Sequence, residues 1–205
     1  GDTASAMTGA LAAFYRKIPI LHVEAGLRSE DIYHPWPEEV NRKIIATMAA
    51  IHCAPTESAL AALTREGVDP ARIHVTGNTV IDALYWMLAE IDQKPDLSNI
   101  LAATVRPFRG RRIIGVTSHR RENLGVGMRS IASAIRRIAA RDDVAIVFPV
   151  HLNPAVRDTM NAELGGIKNV ALTEPLDYPN FAALMQQSSI MLTDSGGVQE
   201  EAPAL

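Results

Sequence analysis

The chain has 205 residues, 47% of them hydrophobic and 21% charged, enough for one large or two small globular domains. The formal net charge is −3 with no basic block, which offers no footing for nucleic acid or an anionic membrane surface, and no stretch is apolar for long enough to span a bilayer. A single cysteine, Cys53, excludes an internal disulfide framework and fits a reducing compartment. In chain order, Thr3 to Arg16 is an alanine-rich helix with Thr3 or Ser5 as its N-cap. Pro19 to Glu24 is a buried strand that ends on a carboxylate. A helix starts at Pro37 and runs to about Ala50. Ile51 to Ala54 is a strand, Thr56 to Glu66 a helix closed by Gly67, Arg72 to Thr76 a strand and Thr79 to Ile91 a helix. Residues 92–110 carry two prolines and mixed polarity and read as a linker. Then come strand Arg112 to Thr117, helix Gly127 to Ala140, strand Val144 to Val150 and helix Pro154 to Leu164. Strand Val170 to Leu172, helix Asn180 to Gln187, strand Ile190 to Thr193 and a helical start after Ser195 complete the series.

Repeated strand–helix units at this spacing predict an α/β protein with parallel sheets covered by helices. The expected division is 1–91, a linker over 92–110, and 111–205. Ligands in such folds sit beyond the carboxyl ends of strands, and the polar clusters fall there: Glu24, Thr117-Ser-His119, His151 and Asp194-Ser195. The last cluster, Asp194-Ser-Gly-Gly-Val-Gln-Glu-Glu201, is a strand followed by two glycines and helix formers. That pattern presents backbone N–H groups to a phosphate, with Glu200 and Glu201 within reach of sugar hydroxyls, although ordinary strand–turn–helix connections share it.

Three carboxylates at element boundaries, Asp2, Glu24 and Glu38, are candidates for divided acid and base roles. First helical turns also favour acidic residues for dipole reasons alone, an explanation weakest for Glu24 at the end of an apolar strand. His119, Arg120 and Arg121 make a dense cationic point at a strand end, suited to a phosphate; the competing reading is a solvated loop. His151 has the same placement and is equally readable as structural. His22, His34, His52 and His74 have no metal-ligand spacing, and no metal site is expected. Gly125-Val-Gly127 lacks the dinucleotide fingerprint, and no P-loop is present.

Seven motifs stand in register: Gly1-Asp-Thr3, His22-Val-Glu-Ala-Gly-Leu-Arg28, Pro35-Trp-Pro-Glu-Glu-Val-Asn-Arg42, Thr76-Gly-Asn-Thr-Val-Ile-Asp82, His119-Arg-Arg-Glu-Asn123, Pro149-Val-His-Leu-Asn-Pro154 and Asp194 to Pro203. Together they resemble the bacterial non-hydrolysing UDP-N-acetylglucosamine 2-epimerases. The resemblance implies a glycosyltransferase-B-like fold of two Rossmann-like domains, each incomplete in this chain, with the active site in the cleft between them. It implies a cytoplasmic homodimeric isomerase without cofactor, making UDP-N-acetylmannosamine for polysaccharide biosynthesis by eliminating UDP to a 2-acetamidoglucal and adding it back. It matches Asp2, Glu24, Glu38 and His119 to catalysis. It matches Arg120, Arg121, Phe181, Ser195, Gly196, Gly197 and Glu201 to substrate binding: Phe181 near uracil, Ser195 to Gly197 on phosphate and Glu201 on ribose. His151 matches a contact to UDP-N-acetylglucosamine acting as its own allosteric activator. The family's N-terminal strand and phosphate-contacting loop, and everything after Leu205, are missing from the match. The 205-residue piece is therefore expected to show no turnover alone. A hydrolysing 2-epimerase is the runner-up; its strand-end motif carries Gly-Gly-Glu, where this chain has Val23-Glu-Ala-Gly-Leu-Arg28. A retaining glycosyltransferase and a non-catalytic UDP-sugar-binding fragment follow.

Overall fold

The structure is a computed structural model that describes residues 1–118 and 126–205. It divides into two compact units, Gly1–Asp82 and Ala83–Leu205. The first unit opens with α1 (Ala4–Tyr15), capped by the Thr3 hydroxyl, which accepts from the Ala6 N–H at 3.1 Å. It continues through β1 (Leu21–Val23), α2 (Glu38–Met48), β2 (Ile51–Ala54), α3 (Glu57–Arg65) and β3 (Ile73–Val75) to the first residues of α4 (Thr79–Gln93). The three strands pair in parallel in the order β1-β2-β3, with Val23 opposite Cys53 and His22 opposite His52. Alternation puts His52 and Ala54 on the inner face of β2, where Ala54 packs with Ala46 of α2, Ala59 and Leu63 of α3, and Ile73.

From Ala83, the remainder of α4, then α5 (Asn99–Val105), β4 (Arg112–Thr117), α6 (Val126–Ala139), β5 (Val144–Pro149), α7 (Pro154–Leu164), β6 (Val170–Thr173), α8 (Tyr178–Gln187), β7 (Ser188–Thr193) and α9 (Gly196–Glu201) form the second unit. Its four strands are parallel in the order β6-β5-β4-β7. Successive residues of β4 and β5 feed opposite cores. Ile114, Val116, Ile146 and Phe148 pack with Met128 and Ile135 of α6 and Met160 of α7. Ile113, Ala145 and Val147 pack with Leu88 of α4, Leu101 of α5 and Leu184 of α8. Both faces of the sheet are thus covered, which is why β4 and β5 read as unbroken apolar runs.

Two expectations differ from what is observed. Residues 92–110 are helical where a linker was expected: a 3-10 turn at Pro95–Ser98, then α5, then a second 3-10 turn at Arg106–Phe108. Each proline opens a turn, where its missing N–H costs nothing, and so starts structure instead of breaking it. Leu101 and Phe108 are buried in the core, and the buried Asn180 side chain ties the segment to α8, accepting from the Leu101 N–H at 2.9 Å and donating to the Leu97 carbonyl at 3.3 Å. The unit boundary accordingly falls at 82/83 instead of after Ile91. No helix among the described residues is long and apolar enough to cross a membrane.

Candidate active site

The expected site residues separate into one cluster in each unit. In the first, β1 ends at Val23 and the chain turns through Glu24, Ala25 and Gly26. Glu24 has φ +64°, a left-handed conformation that costs a non-glycine residue about 1–3 kcal/mol and is found preferentially at functional positions. The turn is held from behind. The Ala25 N–H donates to the Cys53 carbonyl at 2.9 Å, and Gly26 lies against α3 so closely that a Cβ there would sit 2.4 Å from the Ala59 carbonyl oxygen. With φ +90° as well, Gly26→Ala is expected to destabilise the fold by about 3 kcal/mol or more, read from urea unfolding. An unchanged midpoint would mean that the turn is not packed in this way.

Gly1 and Asp2 lie alongside the same turn. The Gly1 N–H donates to the Val23 carbonyl at 2.6 Å, and a side chain at Gly1 would begin 3.2 Å from Glu24 Oε2. Asp2 is gripped by α2: Arg42 Nε donates to Asp2 Oδ2 at 2.8 Å, and Asn41 Nδ2 donates to the Asp2 carbonyl at 2.8 Å. Glu38 begins α2, one turn before Arg42, and its buried Oε2 has no hydrogen-bond partner among the described residues. A buried carboxylate oxygen left without a donor is costly and calls for a functional explanation. Asp2, Glu24 and Glu38 thus share one neighbourhood around the carboxyl end of β1.

His22 and His52, register partners beneath this turn, are both buried. Burial, only partly opposed by a hydrogen bond to the Gly1 carbonyl, pushes the His22 imidazole down to about 4, with the positive charges of the amino terminus and Arg28 adding to the fall. His52 is lowered as well, by burial and then by Arg72 and Arg28. Each folds as the neutral ring, whereas the unfolded chain binds the proton from about pH 6.5 downward. For His22 the stabilisation is therefore complete above pH 6.5 and is lost as pH falls through 4, at most about 3 kcal/mol. Melting temperatures measured from pH 7.5 to pH 4 should fall steeply in the wild type and less in His22→Gln; parallel curves would sink this assignment.

In the second unit, β5 and β6 run off to one side of β4 while β7 returns to the other. The carboxyl ends of β4 and β7 therefore flank the topological switch point, where α/β sheets bind ligands. The two ends are cross-linked: Thr117 and Thr193 share a hydroxyl hydrogen bond of 2.6 Å, and Ser118 Oγ donates to Asp194 Oδ2 at 3.0 Å. The Ser195 N–H donates to Thr193 Oγ1 at 2.9 Å, and the Ser195 hydroxyl makes no cap bond to α9. Gly196 and Gly197 need no special φ; among the described residues a Cβ at Gly196 would meet open space and one at Gly197 only the Ser195 hydroxyl, 4.0 Å away. Nothing among the described residues demands glycine here; what the pair provides is room beside the backbone.

A cavity of about 250 Å³ opens at this end of the sheet, lined by Thr117, Ser118, Pro149, His151, Pro175, Leu176, Phe181, Ser195 and Val198. It gathers three expected site residues, His151, Phe181 and Ser195, from three separate elements. His151 is exposed, and its Nδ1 accepts from the Asn153 N–H at 3.1 Å, leaving Nε2 to carry the ring proton. Glu201 does not line this cavity; it is buried at 7% exposure and accepts from the Tyr178 hydroxyl at 3.1 Å, and burial raises its carboxyl above the ordinary range. Its partner Tyr178 was not foreseen. Nor were Glu39 and Arg42, although their i, i+3 spacing on one helix was a usable signal. His119, Arg120 and Arg121 lie outside the described residues. Among those described, no group of His, Cys, Asp and Glu could hold a metal ion.

Two parallel sheets with polar clusters at strand carboxyl ends define an α/β protein of the glycosyltransferase-B-like class. The family described as UDP-N-acetylglucosamine 2-epimerase matches residues 1–205, and the chain belongs to that family. It is 49% identical over 208 residues to the UDP-N-acetylglucosamine 2-epimerase of Escherichia coli K12 and 48% identical over 207 residues to that of Yersinia pestis, in each case covering all of this chain and 55% of the relative. Among solved structures, the Neisseria meningitidis UDP-GlcNAc 2-epimerase bound to UDP-GlcNAc is similar with a TM-score of 0.88 and 42% identity, over 99% of this chain and 55% of that one. The S. aureus MnaA–UDP co-structure is similar with a TM-score of 0.90 and 43% identity, over 100% of this chain and 54% of that one. The chain thus spans about half the length of these relatives.

Proposed function

We propose that this protein interconverts UDP-N-acetylglucosamine and UDP-N-acetylmannosamine by the non-hydrolysing route. The hydrogen at C2 of the sugar is not acidic, because no carbonyl activates it. Elimination avoids that difficulty: the C1–O bond to UDP breaks as the C2 proton leaves, giving a 2-acetamidoglucal, and re-addition returns a proton to the other face. This chemistry needs carboxylates near C2 and firm electrostatic holding of a departing diphosphate. Asp2, Glu24 and Glu38 supply the first, and Ser195, Gly196 and Gly197 at the β4/β7 switch point supply the second, with His119, Arg120 and Arg121 as further substrate contacts. Phe181 packs against uracil, and Glu201, oriented by Tyr178, takes the ribose. The observation that carries the reading is the cross-linked switch point with its unobstructed glycines. The names and bound ligands of the relatives support the choice of UDP-N-acetylglucosamine.

The enzyme works as a cytoplasmic homodimer feeding polysaccharide synthesis, with its substrate also acting as activator through His151. Incubation of the full protein, not the 205-residue piece alone, with UDP-N-acetylglucosamine in D2O, followed by proton NMR, tests the reaction. Deuterium should enter C2, and UDP-N-acetylmannosamine should accumulate without free sugar. Free N-acetylmannosamine rising in step with UDP would assign the hydrolysing reaction instead, and binding without exchange would leave a UDP-sugar-binding protein.

A further inference from the structure

Glu39 is the most thoroughly buried acidic residue described, at 0% exposure, and the elimination chemistry makes no direct use of it. Its Oε2 accepts from the Ser29 N–H at 3.1 Å and its Oε1 from the Glu30 N–H at 3.3 Å, so it braces the segment just beyond the Glu24 turn. It faces two cations on its own helix, Arg42 Nη1 at 3.4 Å and Lys43 Nζ at 3.8 Å. Arg42 then reaches Asp2 with both remaining nitrogens, Nε at 2.8 Å and Nη2 at 2.7 Å, and both meet the same oxygen, Oδ2. Asp2 Oδ1 has no partner among the described residues. The carboxylate is therefore clamped through one oxygen and open at the other. A forked two-oxygen pairing, the usual arrangement of guanidinium with carboxylate, would have engaged both.

A buried carboxylate is a poor stabilising device, because desolvation offsets much of what its partners return. A clamp that leaves one oxygen bare is a suitable way to present a proton acceptor or donor in a fixed direction. We propose that Glu39 and Arg42 are positioning residues: Glu39 fixes the Arg42 guanidinium, and Arg42 fixes the Asp2 carboxylate with Oδ1 presented for proton transfer. The role rests on the epimerase reading above.

The test uses the full protein with Glu39→Gln, Arg42→Lys, Asp2→Asn and the two double variants that include Asp2→Asn. Rates of C2 deuterium incorporation, kcat and KM for UDP-N-acetylglucosamine, and melting temperature are measured for each. Glu39→Gln keeps an acceptor for one of the Ser29 and Glu30 N–H groups while removing the charge, and Arg42→Lys keeps the charge while losing the fork. Each single change should lower kcat by about 10²-fold with KM little altered, since loss of geometry at a reacting group has that scale. In the Asp2→Asn background neither should lower the residual rate further, because groups acting through one another are not additive. A kcat loss as large in that background as in the wild type, or single variants within about threefold of wild type, would overturn the positioning role while leaving the epimerase intact. If Glu39→Gln fails to fold, Arg42→Lys alone decides by the same comparison. A wild-type protein that binds UDP-N-acetylglucosamine without C2 exchange would remove the epimerase reading and this role together.

Discussion

Glu24→Gln is expected to reduce C2 deuterium incorporation by about 10³-fold, within the range that one acid–base group contributes, while UDP affinity and melting temperature stay where they were. The separation follows from placement. Glu24 stands in a turn of the first unit, and the candidate diphosphate contacts belong to the second. Its left-handed backbone is enforced by Gly26 packing on α3 and by the Ala25 bond to Cys53, neither of which involves the carboxylate. The amide therefore keeps the shape and removes the proton-transfer capacity, together with a 3.6 Å ion pair to the Gly1 amino group. Isothermal titration with UDP, alongside the NMR exchange rate, reads both quantities. Exchange at the wild-type rate would exclude Glu24 from the chemistry, and a parallel loss of UDP affinity would mean that it binds instead.

Gly196→Val should have the opposite signature. No atom of the described residues lies within 4 Å of where its Cβ would be, and its φ is not in the left-handed region, so the described fold accommodates a side chain there. Stability should change by less than about 1 kcal/mol, because the residue opens a short helix and is exposed. UDP affinity should fall by at least about a hundredfold, roughly 2.7 kcal/mol, since the valine methyl groups would occupy the space a phosphate needs beside the backbone. Calorimetric titration and a urea melt on the same sample decide it. A large stability loss with affinity retained would mean that the glycine serves the fold.

Much of this architecture was legible in the sequence, for reasons visible in particular elements. β5 is an unbroken apolar run because both its faces are covered, and α1 and α3 announce their starts with Thr3 and Thr56 as caps. Residues 92–110 were not legible, because proline stops a helix and starts one with the same ring, and only the Leu97 and Leu101 contacts to Asn180 distinguish the two. At the site, Asp2, Glu24 and Ser195 stood out because each ends or begins an element. Glu39 and Arg42 did not, because a Glu–Arg pair one helical turn apart reads as a solvated salt bridge. That the pair faces inward depends on α2 packing against α1 and, through Ala46, joining the core of Ala54, Leu63 and Ile73, which no local pattern encodes.

The bond from Ser118 Oγ to Asp194 has a bearing on heredity. Ser118 immediately precedes His119, Arg120 and Arg121, while Asp194 opens the turn that ends in the glycine pair. Segments 76 residues apart in the chain are thus pinned at one point, so they cannot drift independently over generations. A change at Asp194 would release Ser118 at the end of β4 as well as its own turn. Acceptable replacements at positions 118 and 194 should therefore come in matched pairs, as in a lock whose two halves must be recut together.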